Sequence, residues 1–557
     1  MTRPFTAPVL SVLAFCAGLA QAGESLAQQI SPQRLSDMTR ELASEPYAGR
    51  APGGPGEQKT IDFIVGQFQA LGLKPAGDNG GWTQDVPLRR YQTEPGGTFS
   101  LSVNGKAKAL ATQTDLRVET QRPVEHVVIR AAPLVFVGYG VTAPERAWDD
   151  FKGYDLKGKV AVVLINDPDF EAASTDAVAG KFGGRAATFY ARWVYKYEEA
   201  ARRGALGMLI VHETAGAAYG WSTVVASNGE SYDVVRKDPE KDKLLLQGWI
   251  QRDLAVQLFK DAGLDFEAEK ARAKTAAFTP VELKGATFSA DYKNRFTELA
   301  SRNVIAALPG AKRPDETILY AAHWDAYGIG PPDASGATVR PGAVDDAVGV
   351  AAVIETARAF KASPPPERTI LFAAWTAEER GLLGSEFYAQ AHAAALPKMV
   401  ANYTYDVLQT AGPAKDVVLV GAGQNELEPH LAAIAARHGR AITPDPRPER
   451  ALFYRADHFS LAKRGVPTVL MMAMGGGADL VNGGRAAGEK WVEDYTARCY
   501  HQTCDRWSAD QDYRGAADDA TLAFEAGRDL ANSTRWPDWN ASSEFKPVRE
   551  SSADQRR

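Results

Sequence analysis

Three cysteines in 557 residues are too few for a disulfide-knit scaffold. A basic surplus is also missing. With 63 Lys+Arg against 69 Asp+Glu the net charge is -6, which offers a polyanion no electrostatic footprint and argues against nucleic acid as a partner. Beyond the first residues, no uninterrupted apolar run approaches the roughly 18 to 20 residues of a membrane helix, so no transmembrane anchor is expected. There is no tandem repeat. What remains is 45% hydrophobic, an ordinary globular fraction, in a chain long enough for two to four packed units at roughly 100 to 200 residues each. None of this bears on oligomeric partners.

The amino terminus reads as a secretory signal. Arg3 precedes an apolar stretch over residues 9–19 that ends at Ala20-Gln21-Ala22, too short to span a bilayer and followed by small residues suited to cleavage. Residues 1–22 are therefore expected to be removed, and the protein exported to the periplasm or the medium. Cys16 leaves with the signal. Cys499 and Cys504 remain, and in an oxidising compartment two cysteines five positions apart can bond.

Helical periodicity covers residues 31–72, broken by Ala48 through Gly56, which is glycine- and proline-rich and predicts an ordered surface loop. A β-rich stretch follows. Around residue 131 the character changes: apolar runs over 133–140, 158–165 and 206–211 predict buried strands, with a helix over 190–203. From about residue 287 strands and helices alternate. Strands are expected over 317–322, 369–375, 402–408, 417–420 and 468–474, with helices over 346–361 and 427–438 among the connections. This predicts an α/β fold, a doubly wound and mostly parallel sheet with helices on both faces. The last residues are charged, and 541–557 is expected to be a flexible tail.

The chemistry stands where those strands stop. One ends in His323-Trp324-Asp325, another leads to Glu378-Glu379, a third to Asp406; Asp345-Asp346 precedes a helix, and Cys499-Tyr500-His501-Gln502-Thr503-Cys504 forms a short loop. Zinc takes neutral imidazole nitrogen and carboxylate oxygen. Two neighbouring zinc ions need one bridging carboxylate and two further ligands each, and five candidates are present: His323, Asp345, Glu379, Asp406 and His501. Asp325 is spaced to orient His323, and Glu378 is a candidate general base. Taken singly, each has a plainer role: a satisfied polar histidine, a solvated helix start, an acidic pair at the positive end of a helix.

The order of the set resembles the two-zinc exopeptidase family that includes secreted bacterial aminopeptidases, glutamate carboxypeptidase II, the transferrin receptor and the glutaminyl cyclases. The matching motifs are His323-Trp-Asp325, Gly342-Ala-Val-Asp345-Asp346-Ala-Val-Gly349, Glu378-Glu379-Arg-Gly381, Asp406 and Tyr500-His501-Gln-Thr-Cys-Asp505. The resemblance implies two zinc ions per chain, with Asp345 bridging, His323 and Asp406 completing one site, and Glu379 and His501 the other. It makes Glu378 general base and then general acid, and Tyr500 the phenol that stabilises the oxyanion. It also implies a small disulfide between Cys499 and Cys504 beside the last ligand. On the chain-entropy model so short a loop contributes roughly 2 kcal/mol, so its value would be positional. Arg455-Ala456-Asp457-His458 resembles a segment near the substrate, which makes Arg455 and Asp457 candidate substrate contacts. His458 is the rival fifth ligand, and His501 is preferred because the family's last ligand precedes an acidic residue in such a loop.

Through Tyr154-Asp-Leu-Lys-Gly-Lys-Val-Ala-Val-Val163 and Glu198-Glu-Ala-Ala-Arg-Arg-Gly-Ala-Leu-Gly207, residues 131–285 resemble a protease-associated domain inserted into a discontinuous zinc peptidase domain, 23–130 and 286–540. The activity implied is aminopeptidase action on peptides. Carboxypeptidase or dipeptidase action, glutaminyl cyclisation and a non-catalytic receptor-like role stay open as alternatives.

Overall fold

The computed structural model describes residues 30–226 and 229–556; the predicted signal lies outside them. Four apolar runs make the centre of the main sheet: Thr468–Met471, Met399–Tyr405, Arg313–His323 and Arg368–Trp375, in that order and all parallel. Both faces are covered, so the strands read as continuous apolar runs without polar alternation. Along Arg313–His323, Ile318, Tyr320 and Ala322 join a core with Val350 and Ile354 of the helix Val348–Ala362 and Phe524 of the helix Arg514–Ala531. Leu319 and Ala321 point the other way, onto Trp375, Tyr388 and Leu461. The register pairs His323 with Trp375 and Ala321 with Thr404. Asp406, two residues beyond Thr404, therefore comes level with His323.

The residues expected to form a strand over 417–420 do not join this sheet. Asp416–Leu419 pairs with Ala441–Pro444 in a separate two-stranded ribbon, because Thr468–Met471 takes the place beside Met399–Tyr405.

The long strand Val281–Leu308 ties two sheets together. Its second half lies antiparallel to Arg368–Trp375 and Thr83–Thr93. Its first half pairs with Thr98–Val103 and His126–Phe136, and from there the second sheet continues in parallel through Val160–Leu164, Gly207–His212 and Leu246–Gln251. That sheet has its own core, with Phe136, Val162, Leu209, Ile250 and Phe259.

The boundary expected at residue 131 needs correcting. Thr98–Val103, Lys106–Ala109 and Leu116–Glu119 already pair within the second sheet; the first alternates in burial, the second is exposed throughout and the third is four residues with two charges, so none shows the apolar run that marks the later strands. Glu230–Val234 returns from the insert to pair with Thr83–Thr93 of the main sheet.

The tail expected over 541–557 is also revised. Phe545 and Arg549 are buried, Lys546–Glu550 is helical, and Arg549 Nη1 donates to the Met399 carbonyl at 3.1 Å. A long side chain buries its stem while its head finds a carbonyl. Among the described residues no helix is long and apolar enough to cross a membrane.

Candidate metal centre

Open α/β sheets gather ligands at the carboxyl ends of their strands, and the predicted residues lie there. His323 ends one strand, Asp406 follows Met399–Tyr405, and Glu378 and Glu379 follow Trp375 by one short turn. Asp345 lies in the turn Ala343–Ala347 before the helix Val348–Ala362 and is joined to Asp346 by a cis peptide bond. His501 stands in the loop closed by the Cys499–Cys504 disulfide, Cα–Cα 5.0 Å.

Two groups result. His323, Asp345 and Asp406 offer ligand atoms within 4.8 Å of one another, and so do Asp345, Glu379 and His501. Asp345 belongs to both: its Oδ1 is 3.1 Å from His323 Nε2 and its Oδ2 3.2 Å from His501 Nε2. His501 Nε2 is also 3.2 Å from Glu379 Oε2, and His323 Nε2 is 3.8 Å from Asp406 Oδ1. Glu378 stands at the edge, Oε2 4.0 Å from His323 Nε2.

His323 Nδ1 lies 3.0 Å from the Asp325 carbonyl oxygen. A carbonyl only accepts, so the contact places the proton on Nδ1 and leaves the Nε2 lone pair for the centre. The orienting atom is thus the main-chain oxygen of Asp325; its carboxylate, 3.7 Å away, is instead engaged by the backbone N–H groups of Glu378 and Glu379, at 3.0 and 3.4 Å.

The electrostatics suit a cation. His323 Nε2, His501 Nε2 and Glu379 Oε1 are buried without a hydrogen-bond partner. Burial pushes the Glu378 carboxyl well above its usual range, with Glu379, Asp406 and Asp457 adding repulsion against the pull of His323. Burial and then Asp345 do the same to Glu379. Asp345 goes the other way: burial would raise it, but His323 and His501 hold it below the ordinary range. A proton can serve one imidazole; four buried carboxylates facing two imidazoles match the donor set of divalent zinc.

Tyr500 packs against His501, ring centroids 3.6 Å apart, and burial keeps its phenol protonated far past neutral pH. Asp457 is buried with neither oxygen hydrogen-bonded and within charge reach of His323, Asp325 and Asp406. Arg455 is within charge reach of Tyr500 and His501. His458 is outside both groups, edge-on to Phe453 at 4.7 Å, its ring pushed down to about 3 by burial.

Three supporting residues escaped the sequence reading. Arg50, in the segment expected to be a surface loop, is fully buried. Its guanidinium donates to the carbonyls of Trp324, Leu42, Pro341 and Gly342 at 2.5–2.9 Å, stitching the turns that carry His323 and Asp345. Asp346 accepts from the backbone N–H groups of Gly349, Val407 and His323 at 3.1, 3.3 and 3.4 Å. A Cβ at position 349 would meet its carboxylate at 2.2 Å, which accounts for the glycine. Asp505 accepts from the N–H groups of Val344 and Asp345 at 2.9 and 3.1 Å. For Asp346 and Asp505 the signal was adjacency to a ligand motif; for Arg50 there was none.

Residues 303–524 match the model of peptidase family M28. Over that span, about two fifths of the chain, the sequence is similar to peptidase family M28. The matched span holds all five candidate ligands. Among curated proteins, a "probable zinc metalloprotease" of Pyrenophora teres f. teres (strain 0-1) is 41% identical over 105 residues, 19% of this chain and 22% of the relative. One from Pyricularia oryzae is 32% identical over 137 residues, 25% of each. The matched stretch thus spans a quarter or less of these relatives. Among solved structures, an aminopeptidase from Aneurinibacillus sp. strain AM-1 is 20% identical with a TM-score of 0.49, covering 90% of this chain and 95% of that one.

Proposed function

We propose that this protein is a zinc-dependent exopeptidase, an aminopeptidase that holds two zinc ions and acts on peptides. The observation that carries the reading is the pair of buried, unpartnered imidazole nitrogens facing the two oxygens of one carboxylate. His323 and Asp406 would hold one ion and Glu379 and His501 the other, with Asp345 shared. Zinc bound there supplies Lewis acidity, which polarises a peptide carbonyl and acidifies water.

The rest belongs to the chain's own groups. Glu378, held by its N–H to Asp325 and raised in proton affinity by burial, takes a proton from water at its carboxylate and returns it to the departing amine. The Tyr500 hydroxyl, protonated throughout, donates to the substrate oxygen as charge builds on it. Asp457, its carboxyl pushed up to about 7 by burial, faces the substrate ammonium, whose charge favours the ionised form. The inserted unit is read as a protease-associated domain flanking the site, and export fits the Cys499–Cys504 bond, which persists in oxidising compartments.

One observation favours a second reading, a dipeptidase or carboxypeptidase. Arg455 is within charge reach of Arg192 from the inserted unit and of Arg450, and among the described residues none of the three makes an ion pair. Such a cluster suits a substrate carboxylate.

The deciding experiment counts the metals of the purified protein and compares dipeptides that are free, N-acetylated or C-terminally amidated. Two zinc equivalents and dependence on the free amine support the aminopeptidase. Indifference to acetylation sinks it, and dependence on the free carboxylate transfers support to the second reading.

A further inference from the structure

The two histidines of the centre are oriented by different means. His323 has the Asp325 carbonyl behind its Nδ1. Among the described residues no protein group is hydrogen-bonded to His501 Nδ1, and the His501 backbone takes a positive φ of 63°, outside any regular element. An imidazole lone pair is directional, so a ligand histidine needs its ring held.

Besides the adjacent Tyr500 ring at 3.6 Å, what meets the His501 ring is a column of flat groups. Tyr327, from the turn after His323, lies with its centroid 4.4 Å away. Over Tyr327 lies the Arg380 guanidinium, 4.9 Å from the ring centroid, and the same guanidinium is 5.2 Å from the Tyr232 ring. Arg380 makes no ion pair among the described residues, and its Nε is buried without a hydrogen-bond partner, so its flat faces, set against the two tyrosines, are what engage it. Tyr232 belongs to Glu230–Val234, the strand by which the insert returns to the main sheet. Three segments distant in sequence from His501 thus form one column that ends on its imidazole.

We propose that Tyr327 and Arg380 are positioning residues for His501, and that the column Tyr232–Arg380–Tyr327 does by stacking what the Asp325 carbonyl does for His323 by hydrogen bonding. It aims Nε2 at Asp345 and Glu379 and links the insert to one half of the centre. The proposal rests on the reading that His501 holds zinc.

Zinc titration of the zinc-free protein against a chromophoric chelator tests it, on wild type, Tyr327→Phe, Tyr327→Leu, Arg380→Lys and His501→Ala, with thermal melting of each zinc-free form. Tyr327→Phe keeps the ring and is expected to take two equivalents like wild type. Tyr327→Leu and Arg380→Lys, which lose a stacking face, are expected to bind the equivalent that His501→Ala loses roughly 10- to 100-fold more weakly, with the other equivalent and the zinc-free melting temperature unchanged. Arg380→Lys keeps the charge and serves if the leucine variant folds poorly. Wild-type affinity for both equivalents in both variants overturns the column alone. A wild type that takes up fewer than two equivalents overturns the two-zinc reading and the column with it.

Discussion

The Asp325 carboxylate accepts the backbone N–H of Glu378 at 3.0 Å. One residue thereby ties the proposed base to the strand end that carries His323, since the Asp325 carbonyl also holds the His323 ring. Glu378→Gln leaves this main-chain scaffold intact and removes only the basic oxygen. Zinc content should stay at the wild-type level while kcat falls by roughly 10²- to 10⁴-fold. Metal analysis beside steady-state kinetics checks this, and near-normal turnover would falsify the assignment.

Arg50 donates to four carbonyls around the site. Arg50→Met would leave the Trp324, Leu42 and Pro341 carbonyls without this donor, at about 1 to 3 kcal/mol each before relaxation, while Gly342 keeps the Ala347 N–H at 3.1 Å. A loss of at least ~3 kcal/mol in urea unfolding is expected, together with weaker zinc retention, because Trp324 and Gly342 flank the turns that bear ligands.

Glu386 carries a pH dependence away from the centre. Burial would raise its carboxyl, but Lys463 at 3.1 Å and Arg464 at 2.6 Å bring it from 4.5 down to about 2. A depressed folded-state pKa stabilises fully above the unfolded value, and that contribution is lost as pH falls from about 4.5 to about 2. The shift corresponds to roughly 3 kcal/mol. Comparing zinc-free wild type and Glu386→Gln in urea, the difference should be largest near neutral pH and vanish near pH 2; a constant difference would count against the assignment.

Removing the disulfide by Cys499→Ala with Cys504→Ala should cost roughly 2 kcal/mol of stability and weaken one zinc equivalent, leaving the other as in wild type. Equal weakening of both would show that the loop acts on the fold rather than on His501.

The strands that end in site residues were legible because parallel strands covered on both faces must be apolar throughout, and the polar residues that terminate them stand out. The same logic failed at 98–119, where the strands are short, alternating or exposed, and at 417–420, where a short apolar run did not reveal its partner. His323 and His501 were separable from the other histidines by motif order, whereas Tyr327 looked like any surface tyrosine and Arg380, though inside the Glu378–Gly381 motif, carried no sign of its stacking role.

The sequence by itself determined the α/β rhythm, the residue types able to hold zinc and their placement at strand ends, because burial and ligand chemistry act on local pattern. Only the tertiary structure decided that Asp345 faces both histidines, that the Asp325 carbonyl holds His323, that Arg50 is a buried brace and that a strand of the insert reaches the centre through Arg380. Those are contacts between segments up to hundreds of residues apart. They are set by sheet register and packing, which no local pattern encodes.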